Sequence, residues 1–533
     1  MSIEKYDKAI RHIKRELSYY RPDSILQCVL DHLHWAQTNR VQADGMPWLT
    51  FFMLKLGMLE GKGSGRSMSS QEFNAIVNKL YRIQHLACPI EYGGVELKLR
   101  SMFLQQEWYQ RDLIEELKAL LRQALWFADG KEVYSQKFHE AYGLSLRDFY
   151  DISLYFIAVV CTNKKGVVAF NLHNVIMHLH PVHSMEVIAR YLLLVSVRDQ
   201  DLPTFFKGFR LPYTVNQQSE YFQTTPLRWR PIILSGENLF VCHPKLFVSG
   251  IGMLIPSLLK KLEFPGWQFK TDFGKCMEKY VGTAMAEAGV RAHNESDIKE
   301  ICRKYNVVAG KVTDFLVPGK LNLIVECKAI EPSDIVSSVF DPEVLRRDLK
   351  DSFIKAIVQC QETVWRLLQT PDYYGKNFAC VVVTHEDFWF ATAEDVAQHI
   401  DLDLQERLSN SYGGTPVPLN RILFLNINAW ESMLASIGKA GTDLGRLVME
   451  CAENLSKPEG KRFTASQAVH EKLNKRVYSL DSFAARAKDS QARLQFMLEG
   501  NKAAWQGKVV SLVRARTHLL RYLHIEFDQA AAE

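Results

Sequence analysis

No run of apolar residues in this chain of 533 reaches the roughly 18–20 needed to span a bilayer. The best candidate, Ile152 to Val160, ends at Thr162, Asn163, Lys164 and Lys165. The opening Met1-Ser2-Ile3-Glu4-Lys5 carries an early acid and no apolar stretch, so no signal peptide is expected. A cytoplasmic protein with no membrane partner follows. The ten cysteines (Cys28, Cys88, Cys161, Cys242, Cys276, Cys302, Cys327, Cys360, Cys380, Cys451) form no CxxC pair. Neither a zinc knuckle nor a thioredoxin motif is suggested, and buried free thiols are expected. No GxxxxGK[ST] loop occurs. Gly61-Lys-Gly-Ser-Gly-Arg-Ser67 is a flexible loop by composition, and Gly310-Lys311 and Gly438-Lys439 lack the spacing. A GxSxG elbow, a kinase signature and an internal repeat are also missing. Cys242-His243 are sequence neighbours, which is not the spatial pair a thiol protease needs.

What is present is ordinary globular material, 47% hydrophobic and 23% charged. At about 100–200 residues per domain, three or four domains or one enlarged core are expected. The net charge of +5 is unevenly placed, since residues 461–533 hold 13 Lys and Arg against 7 Asp and Glu. That basic segment could contact phosphates or form a solvated helical face.

Residues 1–230 read as mainly helical. Leu26, Val29, Leu30 and Leu33 follow helical spacing, as do Leu113, Leu117, Leu120, Leu121, Ala124 and Leu125. Trp35, Trp48, Trp108, Trp126 and Tyr150 are expected in helix cores rather than stacked on bases. His173, His178, His180 and His183 lack an accompanying cysteine and read as core or surface residues rather than a zinc site. Near residue 230 the texture changes, with strands expected at Pro231–Leu234 and Asn238–Cys242. A helix over Thr271–Ala288 follows, then strands Lys311–Val317 and Leu321–Lys328 joined by Pro318-Gly319-Lys320. A long helix over Pro342–Leu368 and strands Phe378–Thr384 and Arg421–Ile427 complete this region. His385-Glu386-Asp387 reads as a loop. Beyond about 430 the chain is helical again, with Leu480, Phe483, Leu494, Phe496 and Leu498 as core positions.

The chemistry-bearing stretch is Val312-Thr-Asp314-Phe-Leu-Val, the turn, then Leu323-Ile-Val-Glu326-Cys-Lys328. Side chains two apart on a strand share a face, so Glu326 and Lys328 point the same way. Asp314 lies on the hairpin partner. Two carboxylates and an ammonium therefore converge on one sheet edge. Charged groups are costly to bury unless paired or metal-bound. Two acids supply the hard oxygens that Mg²⁺ prefers, and a lysine beside them can stabilise developing negative charge.

This pattern resembles the PD-(D/E)XK nuclease superfamily, over about residues 231–430. The helix Phe273-Gly-Lys-Cys-Met-Glu278-Lys-Tyr-Val281 is similar to the family's acid-bearing first helix. Asp314 matches its Asp, Glu326-Cys327-Lys328 its Glu-x-Lys, and Lys355-Ala-Ile-Val-Gln359 its Gln-bearing helix. Thr313 stands where the family often has proline, and Thr363 where one branch has an aromatic.

The resemblance implies an α/β fold, with a restriction-endonuclease-like central mixed sheet flanked by helices and largely helical N- and C-terminal regions. Together with the helical texture read on either side, the expected division is a helical regulatory or partner-binding region at 1–230, a nuclease domain at 231–430, which alone the resemblance covers, and a helical, basic region at 431–533. The resemblance further implies Mg²⁺ or Mn²⁺ bound by Asp314, Glu326, the carbonyl of Cys327 and Glu278, directly or through water. Lys328 would act on the attacking water and Gln359 would position the site or a phosphate. The expected activity is metal-dependent hydrolysis of nucleic-acid phosphodiesters, with DNA ahead of RNA. A homodimer or a regulatory protein on the helical N-terminal region is the expected partner, a layout similar to bacterial or phage-borne defence effectors. The competing expectation is a nucleic-acid-binding or interaction module that keeps the fold without turnover.

Overall fold

Strand pairing sorts the short apolar runs into two separate sheets. The computed structural model describes residues 2–39, 45–89, 94–129, 132–163, 166–210, 218–329, 333–440, 443–473, 481–499 and 501–523. The chain is mixed α/β, with far more helix than strand. It divides into a first unit of residues 1–90, 105–264 and 485–533 and a second of residues 91–104 and 265–484.

The first unit holds strands β1 (Val168–Asn171), β2 (Ser196–Arg198), β3 (Ile232–Ser235) and β4 (Asn238–Val241), ordered β1-β4-β3-β2. The β2–β3 pair is parallel and the other pairs are antiparallel. The helix Pro47–Glu60 is buried over nearly all its length, as a helix apolar on every face must be. Several of the charges buried among these helices are paired with acids. Lys55 Nζ lies 3.0 Å from Glu220, Arg486 lies 2.6 Å from Asp129, and Arg493 lies 2.9 Å from Asp151. Arg516 Nε donates to Glu237 at 2.8 Å. Three arginines of the basic C-terminal segment are thus engaged by acids.

Several expectations are corrected. The strands near 232–241 pair with β1 and β2, so the chain divides at 264/265 rather than at 230, and again at 484/485 rather than at 430. Trp35 is 54% exposed. Phe496 is 65% exposed and Leu498 is exposed too, because on their helix Met497 turns inward instead. Leu494 is half-buried, while Leu480 and the side chain of Phe483 lie outside the described residues. Trp48, Trp108, Trp126 and Tyr150 are buried as expected. All ten cysteines are free, with Cys161 exposed and Cys28, Cys276 and Cys327 half-buried.

The second unit is built on β5 (His293–Asn294), β6 (Phe315–Val317), β7 (Asn322–Lys328), β8 (Phe378–Thr384) and β9 (Ile422–Asn426), paired in that order. Pairing is antiparallel as far as β7 and parallel from β7 to β9. A strand flanked on both sides and covered on both faces needs a nearly continuous apolar run. β8 meets that demand, since every one of its residues is buried. The helix Lys355–Leu367 packs its Ile357, Cys360 and Val364 against Ile324, Cys380 and Val382. The helix Phe269–Glu287 presents Phe273, Met277 and Val281 at four-residue spacing and also contacts β7. The expected Pro342–Leu368 helix is interrupted by a π turn at Lys350–Ile354, just before the turn that carries Gln359.

Candidate active site

β7 is apolar from Leu323 to Val325 and then changes character. Alternation sends Ile324, Glu326 and Lys328 to the face covered by the Lys355–Leu367 helix. Glu326 is only 2% exposed, and its Oε1 accepts from the Lys328 ammonium. The same ammonium donates to Gln359 Oε1 at 2.9 Å. Glu326, Lys328 and Gln359 therefore form a connected chain, drawn from a strand and the helix above it.

Asp314 immediately precedes β6. Its Oδ2 accepts the backbone N–H of Cys327 at 2.7 Å, fixing it beside the Glu-x-Lys segment. The register that pairs Phe315 with Val325 makes this contact possible. Thr313 and Thr363, the two departures from the family pattern, prove to be connected. Thr363 Oγ1 accepts the Thr313 N–H at 3.0 Å and donates to the Gln359 carbonyl at 2.8 Å. This threonine ties the segment leading to Asp314 to the helix that bears Gln359.

Glu278 is half-buried on the Phe269–Glu287 helix. One turn later, a Cβ on Gly282 would meet the Phe315 ring at 3.0 Å, so this helix rides close over β6. Burial, then the charge of Asp314, raises the Glu278 carboxyl above its usual value. Burial, then Glu326, raises Asp314 in turn, against the opposing pull of Lys328 and the Cys327 amide. Burial raises Glu326 as well, although Lys328 and the Asp314 amide favour its charged form. Three carboxylates thus meet one ammonium. Like charges in a desolvated site resist joint ionisation.

Oε2 of Glu326 is buried without a hydrogen-bond partner among the described residues. A buried charged oxygen left unsatisfied costs more than an ordinary lost hydrogen bond. The donor set and the orphaned oxygen fit a hard divalent cation shared by Asp314 and Glu326. Among the described residues, no three His, Cys, Asp or Glu side chains gather at metal-ligand spacing. Mg²⁺ commonly takes only one or two carboxylates and keeps its waters, so a two-carboxylate seat with Glu278 further out is chemically sound.

Three histidines of the 173–183 cluster have protein partners at Nδ1. His178 Nδ1 is 2.8 Å from the Tyr155 hydroxyl, His180 Nδ1 3.2 Å from the His183 carbonyl, and His183 Nδ1 3.0 Å from Asp148. His385, read as a loop residue, lies nearer the site than expected. Its backbone N–H donates to the Lys328 carbonyl at 3.3 Å and its ring meets Phe273 edge-on. Its place directly after β8, which pairs with β7 up to Lys328, was the signal for this proximity.

Comparison with protein-family models, curated proteins and solved structures found no match to this chain.

Proposed function

We propose that the second unit is a metal-dependent nuclease of restriction-endonuclease-like fold, hydrolysing nucleic-acid phosphodiesters, with DNA ahead of RNA as substrate. The observation that carries this reading is the junction of Asp314, Glu326 and Lys328 at the end of β7, with Glu326 Oε2 buried and unpartnered. Asp314, Glu326 and the Cys327 carbonyl would hold Mg²⁺ or Mn²⁺. Such an ion lowers the pKa of its water and neutralises charge on a phosphate oxygen.

The chain's own residues do the positioning. The Cys327 amide fixes the orientation of Asp314. Gln359 holds the Lys328 ammonium beside Glu326, where it can orient a water and stabilise charge on the phosphate. Glu278 adds negative charge near Asp314 and would act through water. A protein that kills or restrains invading nucleic acid would suit this chemistry. An unchanged phage sensitivity across a broad panel after gene deletion would remove that biological role but not the reaction.

The direct test is a cleavage assay with wild type, Asp314→Ala and Lys328→Ala. Plasmid, linear and single-stranded DNA and structured RNA are offered with Mg²⁺, Mn²⁺ or EDTA. Metal-dependent cutting by the wild type alone is expected. Absence of both cutting and Asp314-dependent metal binding would leave the non-catalytic binding module as the better account.

A further inference from the structure

We propose that the second unit holds another ligand site, a cavity of about 230 Å³ suited to one mononucleotide, its base against Trp389, Phe390 and Phe463 and its phosphate toward Arg100 and Lys461.

The walls are built rather than incidental. Trp389 sits at φ +58°, a left-handed conformation that bulky residues rarely adopt. Specific contacts hold it there. Its N–H donates to Asp387 Oδ1 at 3.0 Å, and Phe103 stacks on its ring at 5.6 Å between centroids. Phe463 packs against the same two rings. Aromatic side chains of this kind are the usual platform for an unpaired base.

Arg100 supplies the anion-binding character. It is 1% exposed, with Nε donating to the Phe388 carbonyl at 2.8 Å and Nη1 to the Val336 carbonyl at 2.9 Å. Its guanidinium lies 4.6 Å over the Phe390 ring. Nη2 is buried with no hydrogen-bond partner among the described residues. A fixed guanidinium with a donor to spare is the group that recognises phosphate. His399, also on the wall, likewise has a buried Nε2 without a partner among the described residues.

The acids nearby do not fill this role. Asp395 is occupied by its cap, accepting the N–H groups of Ala391 and Thr392. Asp387 acts on Arg100 through its charge but leaves Nη2 without a hydrogen bond among the described residues, and Glu96 is exposed. Arg462 is paired with Glu471, while Lys461 is exposed.

Size limits the ligand. Drug-sized ligands occupy pockets of about 300–1,000 Å³, so a cavity of about 230 Å³ takes the base of one nucleotide, with its sugar and phosphate toward the mouth where Lys461 is exposed. The nucleotide could be free or could be one unpaired residue of a strand. The site's chemistry stands apart from the carboxylate cluster and does not depend on turnover.

The test uses the full chain carrying Asp314→Ala in EDTA, so that no substrate is consumed. Calorimetry follows AMP, adenosine, inorganic phosphate and a 5′-phosphorylated single-stranded DNA. If the free nucleotide is the ligand, AMP binds at least tenfold tighter than adenosine or phosphate. If a strand is the source, the oligonucleotide binds and AMP does so more weakly. In either case Trp389→Gly, which suits the left-handed backbone and removes the platform, weakens binding at least tenfold. Lys461→Glu does the same. Thermal melts check that both variants fold. Failure of both AMP and the oligonucleotide to bind, or affinity that survives Trp389→Gly, overturns the proposal.

Discussion

Lys55 in the first unit and Glu326 in the second are both almost fully buried charges, yet their surroundings differ in kind. Lys55 meets Glu220 at 3.0 Å, and Glu220 is reached by Lys14 as well. Burial pushes Glu220 up, but the two lysines outweigh it and hold its carboxyl below the usual value. Glu326 has Lys328 on one oxygen, no partner on the other, and two further carboxylates nearby. Paired burial is the signature of architecture. Crowded, under-compensated burial of one sign is what a ligand-binding site leaves when its ligand is absent.

The largest expected effect separates the two directly. Asp314→Ala should lower metal-dependent cleavage by about a thousandfold or more, as loss of a key electrostatic group does, with the folded fraction intact by circular dichroism, and Lys328→Ala should lower cleavage per folded molecule by as much. Lys55→Met should do the reverse. Breaking a buried pair costs about 3–5 kcal/mol, read as a lower denaturation midpoint, with the activity of the remaining folded protein unchanged.

A divalent cation should sharpen the contrast. At a hundredfold excess over Kd, Mg²⁺ or Mn²⁺ stabilises by about 2.7 kcal/mol, and this gain should vanish in Asp314→Asn. Without metal, that same variant should be at least as stable as wild type, because it removes one of the mutually repelling carboxylates. A destabilised metal-free Asp314→Asn protein would assign Asp314 to architecture.

The two units should also answer pH in opposite directions. Burial holds the first unit's His243 down at about 3, from an ordinary 6.5. Its folded form binds fewer protons than its unfolded form between those values, so its stability is present above 6.5 and is lost as pH falls toward 3. Asp314 in the second unit is raised from 3.8. Its stability contribution is present below that value and is lost as pH rises through the folded pKa. In metal-free protein, His243→Gln should flatten the acid limb and Asp314→Asn the neutral one, both read from denaturation midpoints across pH.

The smallest effect concerns placement. Gly282→Ala puts a Cβ at 3.0 Å from Phe315, so the Phe269–Glu287 helix must give by a few tenths of an ångström. Cleavage should fall several-fold. Gly274→Ala on the same helix meets nothing within 4 Å and should stabilise by about 0.5–1 kcal/mol, leaving cleavage unchanged.

The second unit was largely legible because its signals are local. β7, β8 and β9 are apolar runs bounded by turns, and the Asp314 hairpin closes through Pro318-Gly319. The meeting of Glu326 with Lys328 follows from alternation alone. What escaped the sequence depends on distant partners. Ile232–Ser235 announces a strand but not which sheet it joins. Leu97 and Arg100 look like any residues of an amphipathic helix, and nothing local says that they enter a core with residues hundreds of positions away. Phe496 was misplaced because an apolar side chain on a helix does not by itself reveal which face is covered.

That distant contribution has a consequence for biosynthesis. Arg100 finishes its hydrogen bonds only with Val336 and Phe388, the latter 288 residues further along. At about 5–20 residues per second, a ribosome takes roughly 15–60 s to cover that distance. Throughout that interval the helix Val95–Glu107 has emerged without the core that Leu97 joins. A fragment beginning at residue 265 would have the opposite defect, lacking Leu97 and Arg100 altogether. The carboxylate-bearing unit is therefore not obtained by trimming away the residues before 265, and its first helix must wait, exposed, for partners that the ribosome delivers much later.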